Sequence, residues 1–439
     1  VYVQRVSIEN VRSFRRLDLD LTRPDGGVAG WTVIAARNGS GKTTLLQAIA
    51  LGLTGGDSVF TIDDSGTGWI GCWAATSAQR YVILIGSDDN RLAVGGGHSA
   101  SDARVEFELS RAGNDPNVGV ASWLLGGQRF ELHLNQEHAE GWFAAGYGAF
   151  RRRFGHASEL SERIRKSRKA AAFATLFRED QALVECTDWL KNTHLRALDK
   201  QDPALHSLRD DALRLLNDGL LPDGVTLTRV DSDGLWARRR SGAEAPFDHL
   251  SSGFRVVSSL VLDVIAQMYR AFGRLQVDVR DGHLSVPHSG VVLIDEAEEH
   301  LHPSWQRNLG AWLKAHFPNV QFIVTTHSPF VCQEADLLIR LHPDGDDAWT
   351  ASPASPATHA AVTHGTLDDA VMSDLFGVEE IYTPRTTALR DELAGLEVKV
   401  MRGVASEAET RRFHELAAKL PAGGTAAVEQ SIRTLAKLG

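Results

Sequence analysis

Cysteine is scarce in this chain of 439 residues: Cys72, Cys186 and Cys332 are far apart, and no CxxC pair is present. A disulfide framework or a structural zinc site is therefore not expected, and a reducing, cytoplasmic setting fits best. No run of about 18 or more apolar residues occurs, which rules out a transmembrane helix. Val1 to Asp20 alternates apolar and charged residues and lacks the apolar stretch of a secretion signal. A basic excess is missing as well: 46 Lys and Arg stand against 56 Asp and Glu, a net charge of −10. Nucleic-acid contact over the whole surface is excluded, and only a local basic patch would provide it. Sustained heptads and internal repeats are absent, so long coiled-coil arms are not expected. At roughly 100–200 residues per domain, the length allows two to four structural units.

What is present divides by periodicity. Val1–Ile8 has apolar residues at a spacing of two and predicts a strand. Trp31–Ala35 predicts a short buried strand, and Leu45, Leu46, Ile49 and Leu53 a helix. Residues 54–135 are rich in Gly, Ser, Asp and Asn, with strand-like runs at Tyr81–Ile85, Val105–Leu109 and Phe130–Leu132, and predict an antiparallel β subdomain. Residues 157–221 read as a helical lobe, and 225–240 as a strand pair around Asp233-Gly234. From 250 to 340 apolar strands alternate with helices, an α/β pattern. Residues 341–366, rich in Ala, Ser, Pro, Asp and Thr, read as loop or linker, and 367–439 as helices.

The most informative stretch is Ala36-Arg37-Asn38-Gly39-Ser40-Gly41-Lys42-Thr43, between a strand and a helix. That is the setting of a Walker A phosphate loop. Small residues let successive backbone N–H groups face phosphate oxygens, and the helix N-terminus adds partial positive charge. Asn38, Gly39, Ser40, Gly41, Lys42, Thr43 and Thr44 are the candidate phosphate-binding residues, with Lys42 on the β- and γ-phosphates and Thr43 on Mg2+. Ala36 replaces the first glycine of the motif and cannot take a glycine-only backbone angle without cost. Val291–Ile294 ends in Asp295-Glu296, a Walker B pattern: Asp295 for the metal, Glu296 as general base toward water. Phe322–Thr326 is a further buried strand, and His327 follows it, where ligands gather in an open α/β sheet. Ser251, Ser252 and Gly253 open a helix bearing Val257, Leu260, Val261, Val264 and Ile265, which offers a second anion site.

The ordered set ARNGSGKT, LSSGFR, VVLIDEAEEHLHP and VTTHSP resembles the ATP-binding-cassette ATPases of the structural-maintenance-of-chromosomes and RecF type. The resemblance covers roughly 1–55 and 245–340 with specific motifs and the middle only loosely. It implies a head-to-head homodimer with ATP between the Walker A of one copy and the signature of the other. The signature departs from LSGGQ at Ser252 and Phe254. Glu298–Pro303 is similar to the EEHLHP loop of soluble AAA-family ATPases of bacterial antiphage systems and old-lysogenisation nucleases. Gly146–Arg153 is similar to the YGxFRR segment of Septu- and retron-associated ATPases. The glutamine of a Q-loop is left open among Gln79, Gln128 and Gln136.

The expected fold is an α/β, P-loop, ABC-type head with a mostly parallel central sheet, an antiparallel β subdomain and a helical lobe. Its expected divisions are an ATPase lobe at 1–150, a helical lobe at 151–245, a second ATPase lobe at 246–345, and a linker with helical tail at 346–439. The expected activity is hydrolysis of ATP to ADP and phosphate with Mg2+, regulating a separate effector such as a nuclease. A scaffold that binds ATP with negligible hydrolysis and a RecF-like repair ATPase are the alternatives. Arg151–Arg153, Arg163, Arg165, Lys166, Arg168 and Lys169, with Arg238–Arg240, form the candidate DNA-contacting clusters. The Glu397-Val398-Lys399 triplet in the tail lacks a partner aspartate on a strand, so no nuclease is expected there.

Overall fold

Strands covered on both faces read as near-continuous apolar runs, and several strands of this chain do so. Gly290–Ile294 and Phe143–Tyr147 are buried throughout, as are Trp31–Ala35 within the strand Gly30–Ala35. The computed structural model describes residues 2–54, 79–86, 92–94, 98–100, 102–111, 118–121, 143–149, 171–177, 185–345, 348–378 and 382–420. The buried strands belong to a six-stranded sheet. Its order is Trp349–Pro353, Leu337–Pro343, Gly30–Ala35, Val320–Thr326, Gly290–Ile294 and Phe143–Tyr147. All its pairings are parallel except that of Trp349–Pro353 with Leu337–Pro343.

The period-two alternation of side chains sends the strands' residues into two cores. Trp31, Val33, Phe322, Val324, Val292 and Ile294 join one, packed with the helices Ser252–Phe272 and Pro303–His316. Ile34, Ile323, Val291 and Leu293 join the other, with Leu45, Leu46, Ile49 and Leu53 of the helix Lys42–Thr54. Each of these four helix residues is wholly buried, which stabilises by about 1.5–3 kcal/mol apiece. The architecture is α/β, with a mostly parallel central sheet.

An antiparallel sheet covers the second core. Its strands lie in the order Phe14–Asp20, Tyr2–Val11, Gln79–Gly86, Asp102–Arg111 and Val118–Ala121. The antiparallel β subdomain expected within 54–135 thus includes the N-terminal strand pair. Gln321 joins the two sheets. Wholly buried at the start of a central strand, its side-chain amide accepts from the Val3 N–H at 2.8 Å and donates to the Val3 carbonyl at 2.9 Å. Helices Glu185–Lys200 and Pro203–Asn217 supply a helical lobe, and Thr226–Asp231 pairs with Gly234–Arg238.

The expected linker is where the structure differs most. Trp349–Pro353 is an edge strand of the central sheet, and helices Pro356–His364 and Leu367–Met372 follow it. An antiparallel edge strand tolerates Ser and Pro, since its outer side needs no ladder partner. The first compact unit accordingly runs to Phe376 rather than ending near 345. The second begins at Gly377, and within it helices Pro384–Met401 and Glu407–Lys419 are held by Arg412–Glu392 (2.8 Å) and Lys399–Glu409 (2.6 Å). No helix among the described residues is long and apolar enough to cross a membrane.

Candidate functional site

Parallel register fixes where the motif residues emerge. Thr326 lies beside Ala35, Val324 beside Ile294, and Ile294 beside Tyr147. The segments after all four strands therefore leave the sheet at one edge, the carboxyl edge where α/β folds bind ligands.

The phosphate loop turns on glycine. Gly39 and Gly41 have φ of +76° and +90°, a region open mainly to glycine. A Cβ on Gly41 would lie 2.4 Å from Ser13 Oγ and 2.8 Å from the Phe14 ring. Ala36 is absent from the left-handed positions and is buried, so this loop does not need glycine there. Asn38 and Gly39 are exposed, whereas Ser40 is wholly buried. Its hydroxyl has no hydrogen-bond partner among the described residues. An orphaned buried donor between two glycines, the first of them exposed, is what an incoming anion would satisfy. Thr44 is buried in the first turn of the helix.

Lys42 is buried and its Nζ donates to the carbonyls of Ala36 (3.1 Å) and Arg37 (3.2 Å) and to His327 Nε2 (2.7 Å). A lysine ammonium only donates, so Nε2 is the accepting nitrogen and the ring proton of neutral His327 sits on Nδ1. Burial pulls the Lys42 pKa down, opposed by Asp295, Glu296 and Glu298. Burial and then the Lys42 charge lower that of His327.

Asp295 is almost fully buried. Its Oδ2 accepts from Thr43 Oγ1 at 2.7 Å and its Oδ1 from Thr325 Oγ1 at 2.5 Å. The backbone N–H of Asp295 donates to the Tyr147 carbonyl at 2.8 Å, which ties this carboxylate to the neighbouring strand. A hydroxyl and a carboxylate in contact form the hard oxygen donor set that Mg2+ prefers. Glu296 has φ of +46° and donates its N–H to Thr325 Oγ1 at 2.8 Å. Burial raises its carboxyl pKa, assisted by Asp295, Glu298 and Glu299 and opposed by Lys42. Lys42, Thr43, Asp295, Glu296 and His327, drawn from positions far apart in sequence, thus lie at one place.

Two further residues hold the site together and were not singled out by sequence. Thr325 bridges Asp295 and Glu296 through one hydroxyl. Glu298 accepts from Thr326 Oγ1 at 2.6 Å and from the His327 N–H at 2.5 Å, fixing the backbone that carries His327. The signals available were a second hydroxyl at the end of an apolar strand and a third acid after Asp295-Glu296.

Ser251, Ser252 and Gly253 lie at the start of the helix Ser252–Phe272. Ser251 and Ser252 are exposed, and the Ser251 hydroxyl makes no capping bond at the N-cap. Gly253 is buried, and a Cβ on it would lie 2.6 Å from Trp305 and 3.0 Å from the His300 carbonyl. The signature segment therefore packs on the EEHLHP loop of the same chain. Arg238 is ion-paired with Glu244 at 3.0 Å, and Arg239 donates to the His249 carbonyl at 3.4 Å. The cluster Arg151–Lys169 and the Q-loop candidates Gln128 and Gln136 lie outside the described residues, and Gln79 begins the strand Gln79–Gly86.

The family model described as "AAA domain, putative AbiEii toxin, Type IV TA system" matches residues 32–333. The chain is similar to Septu protein PtuA of Bacillus mycoides, 23% identical over 75% of this chain and 38% of that protein. It is also similar to the "Retron Ec83 probable ATPase" of Escherichia coli, 34% identical over 30% of this chain and 21% of that protein. The chain thus spans well under half the length of these relatives. A solved Smc head bound to the C-winged helix domain of ScpA aligns with 81% of this chain and 98% of its own, at 14% identity and a TM-score of 0.49. With that family model covering most of the first compact unit, both Walker motifs included, the chain belongs to the AAA-domain family.

Proposed function

We propose that this chain binds ATP with Mg2+, hydrolyses it to ADP and phosphate, and uses the cycle to regulate a separate effector, a nuclease, in antiphage defence. The observation that carries the reading is the contact of Thr43 with Asp295 at 2.7 Å beside the contact of Lys42 with His327 at 2.7 Å. It joins the two Walker motifs and the strand-end histidine in one constellation. Backbone N–H groups of 38–44 and the Lys42 ammonium bind phosphate oxygens, and Mg2+, held by Thr43 and Asp295, supplies charge neutralisation. Glu296 takes the proton of the attacking water, a task its raised pKa suits. His327, accepting at Nε2 in this arrangement, would accept from the attacking water, and a contact with a γ-phosphate oxygen would require a proton on Nε2.

Dimerisation in this proposal is head-to-head, with Ser251, Ser252 and the N-terminus of their helix meeting the γ-phosphate bound by the partner copy. The exposure of both serines supports it, as does the uncapped helix start. The likeness to a Septu protein and a retron ATPase supports the defence setting.

The test is phosphate release by the purified chain, with calorimetric ATP binding and sedimentation. Lys42→Ala is expected to abolish binding, and Glu296→Gln to keep ATP bound in a stable dimer without release. ATP binding by the wild type without phosphate release would favour the scaffold reading. Wild-type release by Glu296→Gln would overturn the general-base assignment.

A further inference from the structure

Away from the nucleotide residues, Asp218, His283 and His316 converge from three elements. Asp218 is the C-cap of the helix Pro203–Asn217, His283 opens the strand His283–Ser285, and His316 ends the helix Pro303–His316. One ligand atom from each lies within 4.8 Å of the other two. The geometry points to a divalent transition-metal site of the zinc class built from these three side chains, independent of the nucleotide reading.

The tautomer of His316 carries the argument. Its Nδ1 lies 2.9 Å from the Trp312 carbonyl, which can only accept. The ring proton is therefore on Nδ1, and Nε2 presents its lone pair to Asp218 Oδ2 at 3.1 Å. Two acceptors so close need positive charge at Nε2, a second proton or a metal ion. Ligands about 2.0–2.2 Å from one ion sit about 3.0–3.5 Å apart, and this pair fits. A proton would answer for His316 and Asp218 alone and would leave the convergence of His283 unexplained.

The surroundings have the build of a metal site. A histidine ligand commonly donates its other N–H to a carbonyl, and a ligating carboxylate commonly accepts a further hydrogen bond. Here Trp312 takes the first role, and the Leu284 N–H donates to Asp218 at 2.8 Å in the second. The His316 ring is wholly buried, stacked on Trp312 at 4.0 Å, and the Val286 N–H donates to its carbonyl at 2.8 Å. His316 is thus fixed, Asp218 half-buried, and His283 exposed, free to swing onto an ion from the solvent side. Two imidazoles and one carboxylate suit Zn2+ or its first-row neighbours rather than Mg2+. Water would complete the coordination on the exposed side. The bound ion would clip the end of the helical lobe to the end of the helix that follows Walker B. Scarce cysteine argues only against thiolate zinc sites and leaves this donor set untouched.

The experiment is Zn2+ titration of the full chain, tag removed and stripped with chelator, against a chromophoric competitor. Wild type is compared with His283→Ala, Asp218→Asn and the exposed control His414→Ala, with circular dichroism as a check on folding. The expected result is one more tight Zn2+ equivalent in wild type and His414→Ala than in His283→Ala, with at least tenfold weaker binding in the latter. Co2+ should give visible absorption of a nitrogen-ligated ion in wild type that is lost in His283→Ala and Asp218→Asn. Wild type and folded His283→Ala binding Zn2+ with the same stoichiometry and affinity would overturn the site. Failure of the wild type to bind Zn2+ would do the same.

Discussion

Thr325→Val tests the claim that one buried hydroxyl positions the carboxylates of Asp295 and Glu296. Thr325 has no exposed surface, donates to Asp295 at 2.5 Å and accepts from the Glu296 N–H at 2.8 Å. Valine keeps the shape and the strand preference and removes both hydrogen bonds. A bond to an ionised group contributes about 1.5–3 kcal/mol and a neutral one about 0.5–1.5 kcal/mol, so a loss of about 2–4 kcal/mol is expected in urea unfolding. The effect on turnover comes through Glu296. A glutamate at φ of +46° persists only where its surroundings over-determine it. Losing its anchor lets the backbone relax toward negative φ and carries the carboxylate away, and a displacement of about 1 Å costs roughly 100-fold. Phosphate release at saturating ATP is expected to fall by that order. Thr325→Ser retains the hydroxyl and removes one methyl, costing about 1 kcal/mol with turnover largely kept. Equal losses in the serine and valine variants, or a valine variant with unchanged stability and turnover, would refute the bridging role.

Other consequences are open to the same assays. Glu298→Ala removes the acceptor for Thr326 and the His327 N–H. Turnover should drop about 10- to 100-fold through misplacement of His327, with calorimetric ATP affinity retained; a parallel loss of affinity would count against it. Ala36→Gly is expected to give no gain in ATP affinity, because position 36 is not left-handed, and to lower unfolding stability by about 0.5–1 kcal/mol. Asp263 is buried on the signature helix and accepts from the Tyr147 hydroxyl at 2.8 Å; burial raises its pKa. A raised carboxyl pKa favours the protonated folded state, so its contribution is present below about pH 3.9 and is lost as pH rises through the folded value. Asp263→Asn, which keeps an acceptor for Tyr147, should therefore gain stability relative to wild type as pH climbs from about 4 toward neutrality. A pH-independent difference in urea midpoints would contradict this.

The residues of the candidate site were legible because the motifs are local: a phosphate loop is written with glycines, a lysine and a hydroxyl in consecutive positions, and a metal carboxylate with a strand end. Ala36 looked costly because the motif is written with glycine, yet the left-handed angles fall at Gly39 and Gly41. Thr325 escaped notice because threonine in a strand already has an explanation in β-propensity, and only tertiary contact shows what its hydroxyl holds. Glu298 was grouped with a loop motif, and its partners Thr326 and His327 come from another strand. The segment 341–366 misled through composition. Its Ser355-Pro356 start and Thr366/Asp369 capping box are helix signals, but Ala-, Ser- and Pro-rich sequence also describes linkers. Asp218, His283 and His316 have no sequence spacing to read, since three separate elements bring them together.

Gln321 ties the N-terminal strand to a strand that leads into the candidate site. Its amide stands in for a missing peptide rung, completing the pairing that Val3 would otherwise seek from a neighbouring backbone. The strand it begins, Val320–Thr326, is a stiff rod about 20 Å long that delivers His327 at its far tip. The N-terminal meander and the strand that leads to His327 are thus joined by a side chain as well as by packing.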